Sequence, residues 1–238
     1  MHKEIRYRDG DASLTGVLVV DESLTEARPG ILLVHGGAGL DDHAQDRATR
    51  FFEQGYVVFA CDMFGDGVAG ERQRVMSCVN DLRNDRTKLA KRAQAGIDVL
   101  TSHSNVAGQV AVVGYCFGGL VALELARAGL HLSAAVSVHG SVATSNPADR
   151  GSVRAPILVC HGALDPFNDV TRLTAFIDEM NRAQADWQLV CYGGAMHGFT
   201  HLAATGQTPG VLYDARADER SSRAVLTFLR DAFAQHEA

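Results

Sequence analysis

The sequence predicts an α/β fold with a mainly parallel central sheet and helices on both faces. Short apolar runs alternate with longer segments of helical periodicity along most of the 238 residues. Near the middle of the chain, one apolar run leads through a glycine-rich turn directly into an apolar helical pattern. Parallel strands need long crossover connections, which are usually helices, so this alternation is typical of βα units that cover a sheet on both sides.

The individual elements follow from the spacing of their apolar residues. Short runs rich in Val, Ile and Leu and bounded by glycine or polar residues predict strands. Apolar positions that recur every three to four residues predict helices. The predicted strands, of which the first two precede the alternating part, are 4–8, 14–20, 31–34, 56–60, 109–114, 134–138, 156–160 and 187–192. The predicted helices are 43–54, 79–101, 120–128, 171–185 and 220–233.

Length and composition favour one domain over residues 1–238. A chain of this length with 46% hydrophobic residues can bury one large core, and it contains no linker, repeat or low-complexity run. The net charge of −6 argues against a nucleic-acid surface, which needs clustered Lys and Arg. No apolar run reaches membrane-spanning length, and the first residues do not have the pattern of a signal peptide. We therefore expect a cytoplasmic protein that binds neither nucleic acid nor membrane.

Cysteine usage agrees with this expectation. The five cysteines are scattered, odd in number and without Cys-x-x-Cys spacing. That usage suits a reducing compartment better than a disulfide framework or a zinc site. Cys61, Cys160 and Cys191 lie in predicted strands, so we expect them in the core.

The turn in the middle of the chain has the form of a nucleophile elbow. It reads Gly-Tyr-Cys-Phe-Gly-Gly at 114–119. In the usual form, Gly-x-Ser-x-Gly, the glycines make room for a nucleophile held in a strained conformation at the tip of a strand. Cys116 occupies the nucleophile position, and a helix N-terminus beside an imidazole favours a thiolate. On its own, the motif fits equally well a tight turn that carries a small buried cysteine.

Two further candidates follow later strands. Asp165 comes after the strand 156–160 and the turn His161-Gly162, and His197 comes after the strand 187–192. The order nucleophile, acid, base is that of the α/β-hydrolase fold. All three residues lie just past the C-terminal end of a predicted strand, the edge at which open α/β sheets collect their active sites.

With these motifs, the chain resembles the dienelactone hydrolase family, the cysteine-dependent branch of the α/β-hydrolase superfamily. The resemblance rests on the runs at 114–119, 161–165 and 194–199, and it extends from about residue 31 to the last helix. It implies the α/β-hydrolase fold. It also implies that Cys116 is the nucleophile, His197 the general base and Asp165 the carboxylate that orients the base.

An attack on an ester places negative charge on the former carbonyl oxygen, and that charge needs fixed hydrogen-bond donors. In this architecture one donor is the backbone N–H after the nucleophile, here Phe117, and the other comes from the loop after the third strand. That loop reads His-Gly-Gly-Ala-Gly at 35–39, and Gly37 is the candidate. A plain glycine-rich turn is the alternative for this loop, and we expect His35 to be a turn residue rather than a second base.

The sequence departs from the family pattern at two positions. The family has a glutamate where Gly36 aligns, and its carboxylate interacts with the resting thiol. Of the two arginines that hold the substrate carboxylate in the family, one matches Arg74 and the other aligns with His201. A small anionic lactone is therefore one open substrate class, and a solvated helix-terminal charge is the alternative for Arg74. Because Gly36 brings no negative charge, we expect Cys116 to be substantially thiolate at rest.

The segment 64–85 contains three glycines and connects a strand to the long predicted helix, so it is a candidate wall or lid. Phe64 and Tyr115 are candidates for an apolar lining of the site, with a place in the core as an equally open alternative. The other histidines show no metal-ligand spacing, so neither a metal nor a cofactor is predicted. They include His103, His131 and His139.

The leading functional hypothesis is hydrolysis of a small carboxylic ester or lactone through a Cys-His-Asp triad and an acyl-enzyme intermediate. Acyl transfer to another acceptor and thioester hydrolysis share this intermediate, and both stay open. A non-catalytic, redox-sensing thiol protein of the same fold is the alternative from a different class. The expected partner is a small-molecule ester or lactone, and a homodimer stays open.

Overall fold

Strands and helices alternate along the residues that the computed structural model describes, 2–23 and 25–235. Each predicted strand and helix overlaps an observed one, which confirms the α/β class. The strands are β1 (His2–Asp9), β2 (Ala12–Val19), β3 (Arg28–Val34), β4 (Val57–Cys61), β5 (Val106–Tyr115), β6 (Ala134–Val138), β7 (Ile157–Gly162) and β8 (Trp187–Tyr192). The helices are α1 (Asp42–Glu53), α2 (Arg72–Asn84), α3 (Arg86–Thr101), α4 (Phe117–Arg127), α5 (Val170–Ala183) and α6 (Ala215–Ala234).

The chain forms two compact units, Met1–Val113 and Gly114–Ala238, and the boundary between them falls inside β5. In the first unit the strands lie in the order β1-β2-β4-β3-β5. The β1–β2 hairpin is antiparallel and β2 pairs antiparallel with β4, whereas β3 and β4 are parallel. Helices α1 and α3 pack against β3 and β4. The prediction of one domain over 1–238 stays a prediction.

In the second unit the strands lie in the order β6-β7-β8, and both pairs are parallel. Val138 is opposite Cys160, and Gly162 is opposite Tyr192. The carboxyl ends of neighbouring strands therefore lie at nearly the same position along the sheet. Because the carboxyl ends of parallel strands share one edge, the loops after β6, β7 and β8 begin side by side. Helix α4 packs on β6, and α6 packs on β6 and β7.

Both faces of the sheet are covered. Every residue of β4, β6 and β7 is buried. Successive side chains of a strand point to opposite faces, so a strand that is buried throughout has a packed layer on each side. In the second unit this packing includes Phe176 and Met180 of α5, which lie in one cluster with Leu123 of α4 and Ile157 of β7.

The prediction of one long helix over 79–101 is wrong. The segment holds the end of α2 and all of α3, and the two helices meet at Asp85. This residue has non-helical angles, φ −124° and ψ 89°, and its carboxylate accepts a hydrogen bond from the backbone N–H of Lys88 at 2.9 Å. An aspartate that caps a helix in this way competes with continuation of the preceding helix. The candidate lid, 64–85, therefore contains α2, and its function as a lid stays a prediction.

The prediction that the three strand cysteines all lie in the core is wrong for Cys191. Cys61 and Cys160 are buried, but Cys191 is exposed. It lies on β8, the last strand in the order of its unit, where most residues keep some exposure. An edge strand lacks a neighbour on one side, so a strand pattern alone does not place its residues in the core. Among the described helices, none is long and apolar enough to cross a membrane.

Candidate active site

Cys116 lies at a sharp turn between β5 and α4. Its backbone angles are φ 54° and ψ −111°, a left-handed conformation that is strained for any residue with a Cβ. Two residues earlier, a Cβ on Gly114 would lie 1.9 Å from the carbonyl oxygen of Gly118. The glycine therefore permits the first turn of α4 to fold back over the end of β5. The turn has the geometry of a nucleophile elbow and projects a thiol that is only half-buried.

A second pair of glycines lets α4 approach the end of β6. A Cβ on Gly119 would lie 2.6 Å from Oγ of Ser137 and 2.9 Å from Cα of Gly140. The backbone N–H of Cys116 donates to the carbonyl oxygen of Val138 at 3.0 Å. Cys116 is thus held by the backbone at the end of β6.

The loops that carry Asp165 and His197 are bonded to each other. Leu164 N–H donates to the carbonyl oxygen of Ala195 at 2.9 Å, directly beyond the paired ends of β7 and β8. At Gly162 the loops come so close that a Cβ would lie 2.7 Å from the Ala195 carbonyl oxygen. His197 is also anchored by its own backbone, which donates to the Gly210 carbonyl and accepts from Leu212 N–H.

The structure brings Cys116, His197 and Asp165 together. Nε2 of His197 lies 3.1 Å from Sγ of Cys116, and Nδ1 of His197 lies 2.9 Å from Oδ2 of Asp165. The carboxylate side chain is 0% exposed and the imidazole 14% exposed. Each ring nitrogen thus faces one of the two other groups, the arrangement of a nucleophile, a base and the acid that orients the base.

Asp165 is held as a carboxylate by several donors. The backbone N–H of Phe167 donates to Oδ1 at 2.8 Å, and the side-chain amide of Asn168 donates to Oδ2 at 3.3 Å. Burial alone would raise the pKa of Asp165, but the hydrogen bond and charge of His197, together with these donors, lower it below the ordinary value. The carboxylate is therefore ionised beside His197 at neutral pH.

The same contacts set the charge of the imidazole. Burial alone would lower the pKa of His197. Hydrogen bonds to Asp165 and Cys116, with the negative charges of both groups, raise it to about 10. The imidazolium is therefore the form of His197 that these contacts favour at neutral pH.

The two predicted oxyanion donors lie in different units. Phe117 is the first residue of α4 and directly follows Cys116. Gly37 is exposed in the loop after β3, and a Cβ there would meet no atom within 4 Å. His35 in the same loop is buried; its Nδ1–H donates to the Gly36 carbonyl at 2.7 Å, and its Nε2 accepts from Met63 N–H at 3.1 Å. His35 thus fixes its loop, and the oxyanion function of Gly37 and Phe117 stays a prediction.

The candidate substrate-binding residues differ in what holds them. Arg74 is exposed on α2, and its guanidinium donates to the carbonyl oxygen of Gly67. His201 is partly exposed, and its Nδ1 accepts from Ala203 N–H at 3.3 Å. Their substrate-binding function stays a prediction.

The two candidate aromatic lining residues are both buried, each with 5% exposure. Phe64 packs edge-on against the ring of His35, with centroids 4.6 Å apart. Tyr115 precedes the nucleophile, and its ring lies 6.0 Å from that of His139. These contacts fit a place in the core at least as well as a lining, and a contact with substrate stays a prediction.

Two aromatic side chains beside His197 were not among the predicted site residues. The ring of Phe167 packs edge-on against that of His197 at 5.0 Å, and the ring of His139 does so at 5.4 Å. Both lie past the end of a strand, Phe167 after β7 and His139 directly after β6. Asp165 and His197 were selected because they lie just past the ends of strands, and the same criterion would also select Phe167 and His139. That criterion does not show which side chains turn toward His197.

A family model decides the relationship of this chain to known proteins. The model of the dienelactone hydrolase family matches residues 14–233. The chain belongs to this family. Members of the family are carboxylic ester hydrolases with the α/β-hydrolase fold, so the resemblance carried by the three motifs is confirmed, and the chain is an enzyme of that class.

The chain is also similar to individual proteins. A solved structure of a dienelactone hydrolase-like promiscuous phosphotriesterase from metagenomic libraries is 36% identical, with a TM-score of 0.91 over 98% of both chains. An uncharacterised protein of Caenorhabditis elegans is 35% identical over 162 residues, which are 64% of this chain and 100% of that protein. A carboxymethylenebutenolidase homolog of Pongo abelii is 31% identical over 98 residues, which are 40% of this chain and 38% of that protein.

Proposed function

We propose that this dienelactone hydrolase family member cleaves small carboxylic esters or lactones through Cys116, His197 and Asp165, with an acyl-enzyme intermediate. The observation that carries the proposal is the pair of contacts at His197, 3.1 Å to the thiol sulfur and 2.9 Å to the buried carboxylate. A base within hydrogen-bond reach of a nucleophile, itself oriented by a third group, is the arrangement that nucleophilic catalysis requires.

In the first half of the reaction, the Cys116 thiolate attacks the ester carbonyl carbon, and the carbonyl oxygen becomes an oxyanion. The backbone N–H groups of Phe117 and Gly37 are the proposed donors to that oxygen. The tetrahedral intermediate collapses with cleavage of the C–O bond, and the imidazolium of His197 gives its proton to the departing alkoxide. The products of this half are the alcohol and a thioester on Cys116.

In the second half of the reaction His197 must act as a base, so its pKa must be lower than in the resting site. Acylation of Cys116 itself lowers that pKa. Two of the causes that raise the pKa of His197 are the hydrogen bond and the charge of Cys116. A thioester has neither, so the pKa of His197 falls once the acyl group is attached. The neutral imidazole, still oriented by Asp165, then removes a proton from water, which attacks the thioester and releases the acid.

Turnover of p-nitrophenyl acetate tests the proposal. We expect Cys116→Ala to abolish it, whereas Cys191→Ala, which removes an exposed thiol on β8, retains the wild-type rate. Mass spectrometry after an acid quench should find the acetyl group on Cys116. Wild-type turnover by Cys116→Ala contradicts the proposal. Alkylation of Cys116 without turnover favours the non-catalytic thiol protein, and faster product release with an added alcohol or thiol favours acyl transfer.

The proposal includes a cytoplasmic location. All five cysteines are free. A reducing compartment keeps cysteines in this state, whereas secreted proteins commonly pair them. Cell fractionation of the expressed protein checks this part.

A further inference from the structure

A second histidine contacts the backbone of Cys116. His139 directly follows β6 and is 2% exposed. Its Nδ1 lies 3.2 Å from the backbone nitrogen of Cys116, and its Nε2 lies 2.9 Å from Oγ1 of Thr200, which is 1% exposed. The reaction proposed above assigns no step to this side chain.

The contacts determine which ring nitrogen carries the proton. The backbone N–H of Cys116 is shared between the Val138 carbonyl at 3.0 Å and Nδ1 of His139 at 3.2 Å. A backbone N–H is only a donor, so Nδ1 of His139 accepts from it and carries no proton. In a neutral imidazole the proton is then on Nε2, which donates to the hydroxyl oxygen of Thr200. A protonated Nδ1 would turn its own N–H toward the N–H of Cys116. The hydrogen bonds therefore fit the neutral Nε2–H tautomer.

Backbone strain points to the same pair. Among the described residues, three other than glycine have positive φ: Cys116 at 54°, His139 at 42° and Gln184 at 56°. Gln184 ends helix α5, a place where a left-handed residue is common. The other two are hydrogen-bonded to each other. Strained residues of this kind are energetically costly and persist only where their surroundings fix them.

The ring of His139 also contacts the loop that carries the base. It lies 5.4 Å from the ring of His197, at an interplanar angle of 65°, and 5.1 Å from the ring of Phe199. Thr200, which accepts from His139, is in the same loop. One buried imidazole thus touches the backbone of the nucleophile, the ring of the base and the loop behind the base.

We propose that His139 is a positioning residue that fixes the strained backbone of Cys116 and the loop of His197 relative to each other. It acts through its Nδ1 contact with Cys116 N–H on one side and its Nε2–H contact with Thr200 on the other. This inference rests on the proposed function of Cys116 and His197. A misplacement of about 1 Å between reacting groups can cost about 100-fold in rate, so loss of either contact affects chemistry more than substrate binding.

A set of substitutions separates the two contacts. His139→Ala removes both. His139→Asn retains an acceptor, because the side-chain oxygen of asparagine reaches the place of Nδ1, and asparagine tolerates left-handed φ. Thr200→Val removes only the hydroxyl that accepts from Nε2–H, and Thr200→Ser restores it. His103→Ala is the matched control, since Nδ1 of His103 also accepts a backbone N–H, from Asn105 at 3.3 Å, but in the other unit.

With p-nitrophenyl acetate, we expect His139→Ala to lower kcat about 10- to 100-fold with KM changed less than about threefold. His139→Asn should recover most of the loss, Thr200→Val should lower kcat several-fold, and Thr200→Ser and His103→Ala should stay near wild type. A thermal melt of each variant gives its folded fraction, and rates are compared per folded enzyme. A merely structural histidine predicts lower melting temperatures with an unchanged kcat, and that result overturns the proposal.

Alkylation separates a failure of this inference from a failure of the proposed function. Iodoacetamide reads the reactivity of the Cys116 sulfur without any ester. We expect His139→Ala to slow it by about tenfold and His139→Asn to restore it. If Cys116→Ala still hydrolyses ester, the proposed function is wrong, but the alkylation rates still test the positioning of Cys116. Equal alkylation rates in wild type and His139→Ala, with equal kcat, contradict the inference alone.

Discussion

Nε2 of His197 lies 3.1 Å from Sγ of Cys116, close enough for the two groups to share one proton. Burial would lower the pKa of this imidazole, but Asp165 and Cys116 together raise it to about 10. A raised pKa means that the imidazolium persists as the pH rises through neutrality and is lost only near pH 10. We expect Cys116 to be the thiolate partner of that imidazolium, so the predicted resting site is an ion pair over a wide pH range.

This ion pair predicts a flat pH profile for alkylation of Cys116. The rate with iodoacetamide should be near its plateau from about pH 6.5 to about pH 9, because the thiolate fraction does not change while His197 keeps its proton. His197→Gln removes the counter-ion and should slow the reaction at pH 7 at least about tenfold. A rate that instead climbs about tenfold per pH unit up to about pH 8.5 is the behaviour of an ordinary thiol and contradicts the ion pair.

Alkylation should also be selective for Cys116. Burial raises the pKa of the other four cysteine thiols, so they stay protonated at neutral pH: Cys61, Cys78, Cys160 and Cys191. We expect peptide mapping after brief treatment at pH 7 to find the label on Cys116 alone. Cys191→Ala serves as the control for the one exposed competitor. Equal labelling of Cys116 and Cys191 in the wild-type chain would show that the site does not activate its thiol.

Asp165→Asn is expected to lower kcat by about 100- to 10,000-fold. The amide keeps the size of the side chain but removes the negative charge that raises the pKa of His197 and fixes its Nδ1–H. Steady-state ester hydrolysis measures the effect. Asp169→Asn is the matched control, because Asp169 only caps helix α5 and asparagine caps equally well. Similar rates for the two variants would mean that Asp165 does not orient the base.

Gly114→Ala is expected to destabilise the protein by about 3 kcal/mol, with a parallel loss of esterase activity. The new Cβ would lie 1.9 Å from the Gly118 carbonyl oxygen, so α4 or the end of β5 must move. Gly193→Ala is the control, since a Cβ there meets no atom within 4 Å and the residue does not have positive φ. Urea unfolding measures both variants. An equal free energy of unfolding for the two would show that the elbow tolerates a side chain at Gly114.

Arg127 and Glu179 form a buried ion pair that predicts a large effect on stability. The guanidinium makes two bonds of 2.8 Å to Glu179 and a third of 2.9 Å to Glu124, and its side chain is 0% exposed. Glu179→Ala removes one of the two carboxylates that neutralise the buried guanidinium. The substitution should therefore lower the free energy of unfolding by about 3–5 kcal/mol. Glu219→Ala breaks the exposed pair with Arg223 and should cost about 1 kcal/mol or less. Urea unfolding measures both variants. An equal loss of free energy of unfolding in the two would show that a buried ion pair matters no more to stability than an exposed one.

Several features could be predicted because they depend on neighbouring residues in the chain. The bounds of β6 and β8 are observed as predicted, because each is a short strand pattern with a clear end. The elbow at 114–119 was recognisable for the same reason: its glycines, its central cysteine and the apolar segments on both sides lie within one short stretch. Cys116, Asp165 and His197 each lie just past the end of a predicted strand, and their order along the chain was enough to name the three as candidates.

Other features depended on what surrounds a residue in the folded chain. Asp85 was predicted inside a helix because the apolar pattern continues across it, whereas its side chain caps the next helix. Cys191 has the same sequence context as a buried strand residue and is exposed because β8 is an edge strand. In both cases the surroundings of the residue in the folded chain, and not its place in the pattern, decided the outcome.

The sequence by itself determined the fold class, the elbow and the three residues of the proposed triad, since all of these are encoded in short segments with fixed periodicity or spacing. Only the tertiary structure decided which groups meet. His197 contacts a cysteine 81 residues away, and His139 joins residues 23 and 61 positions away. Such contacts depend on the order and register of parallel strands, which place the ends of β6, β7 and β8 at one edge. Periodicity within a strand carries no information about that order.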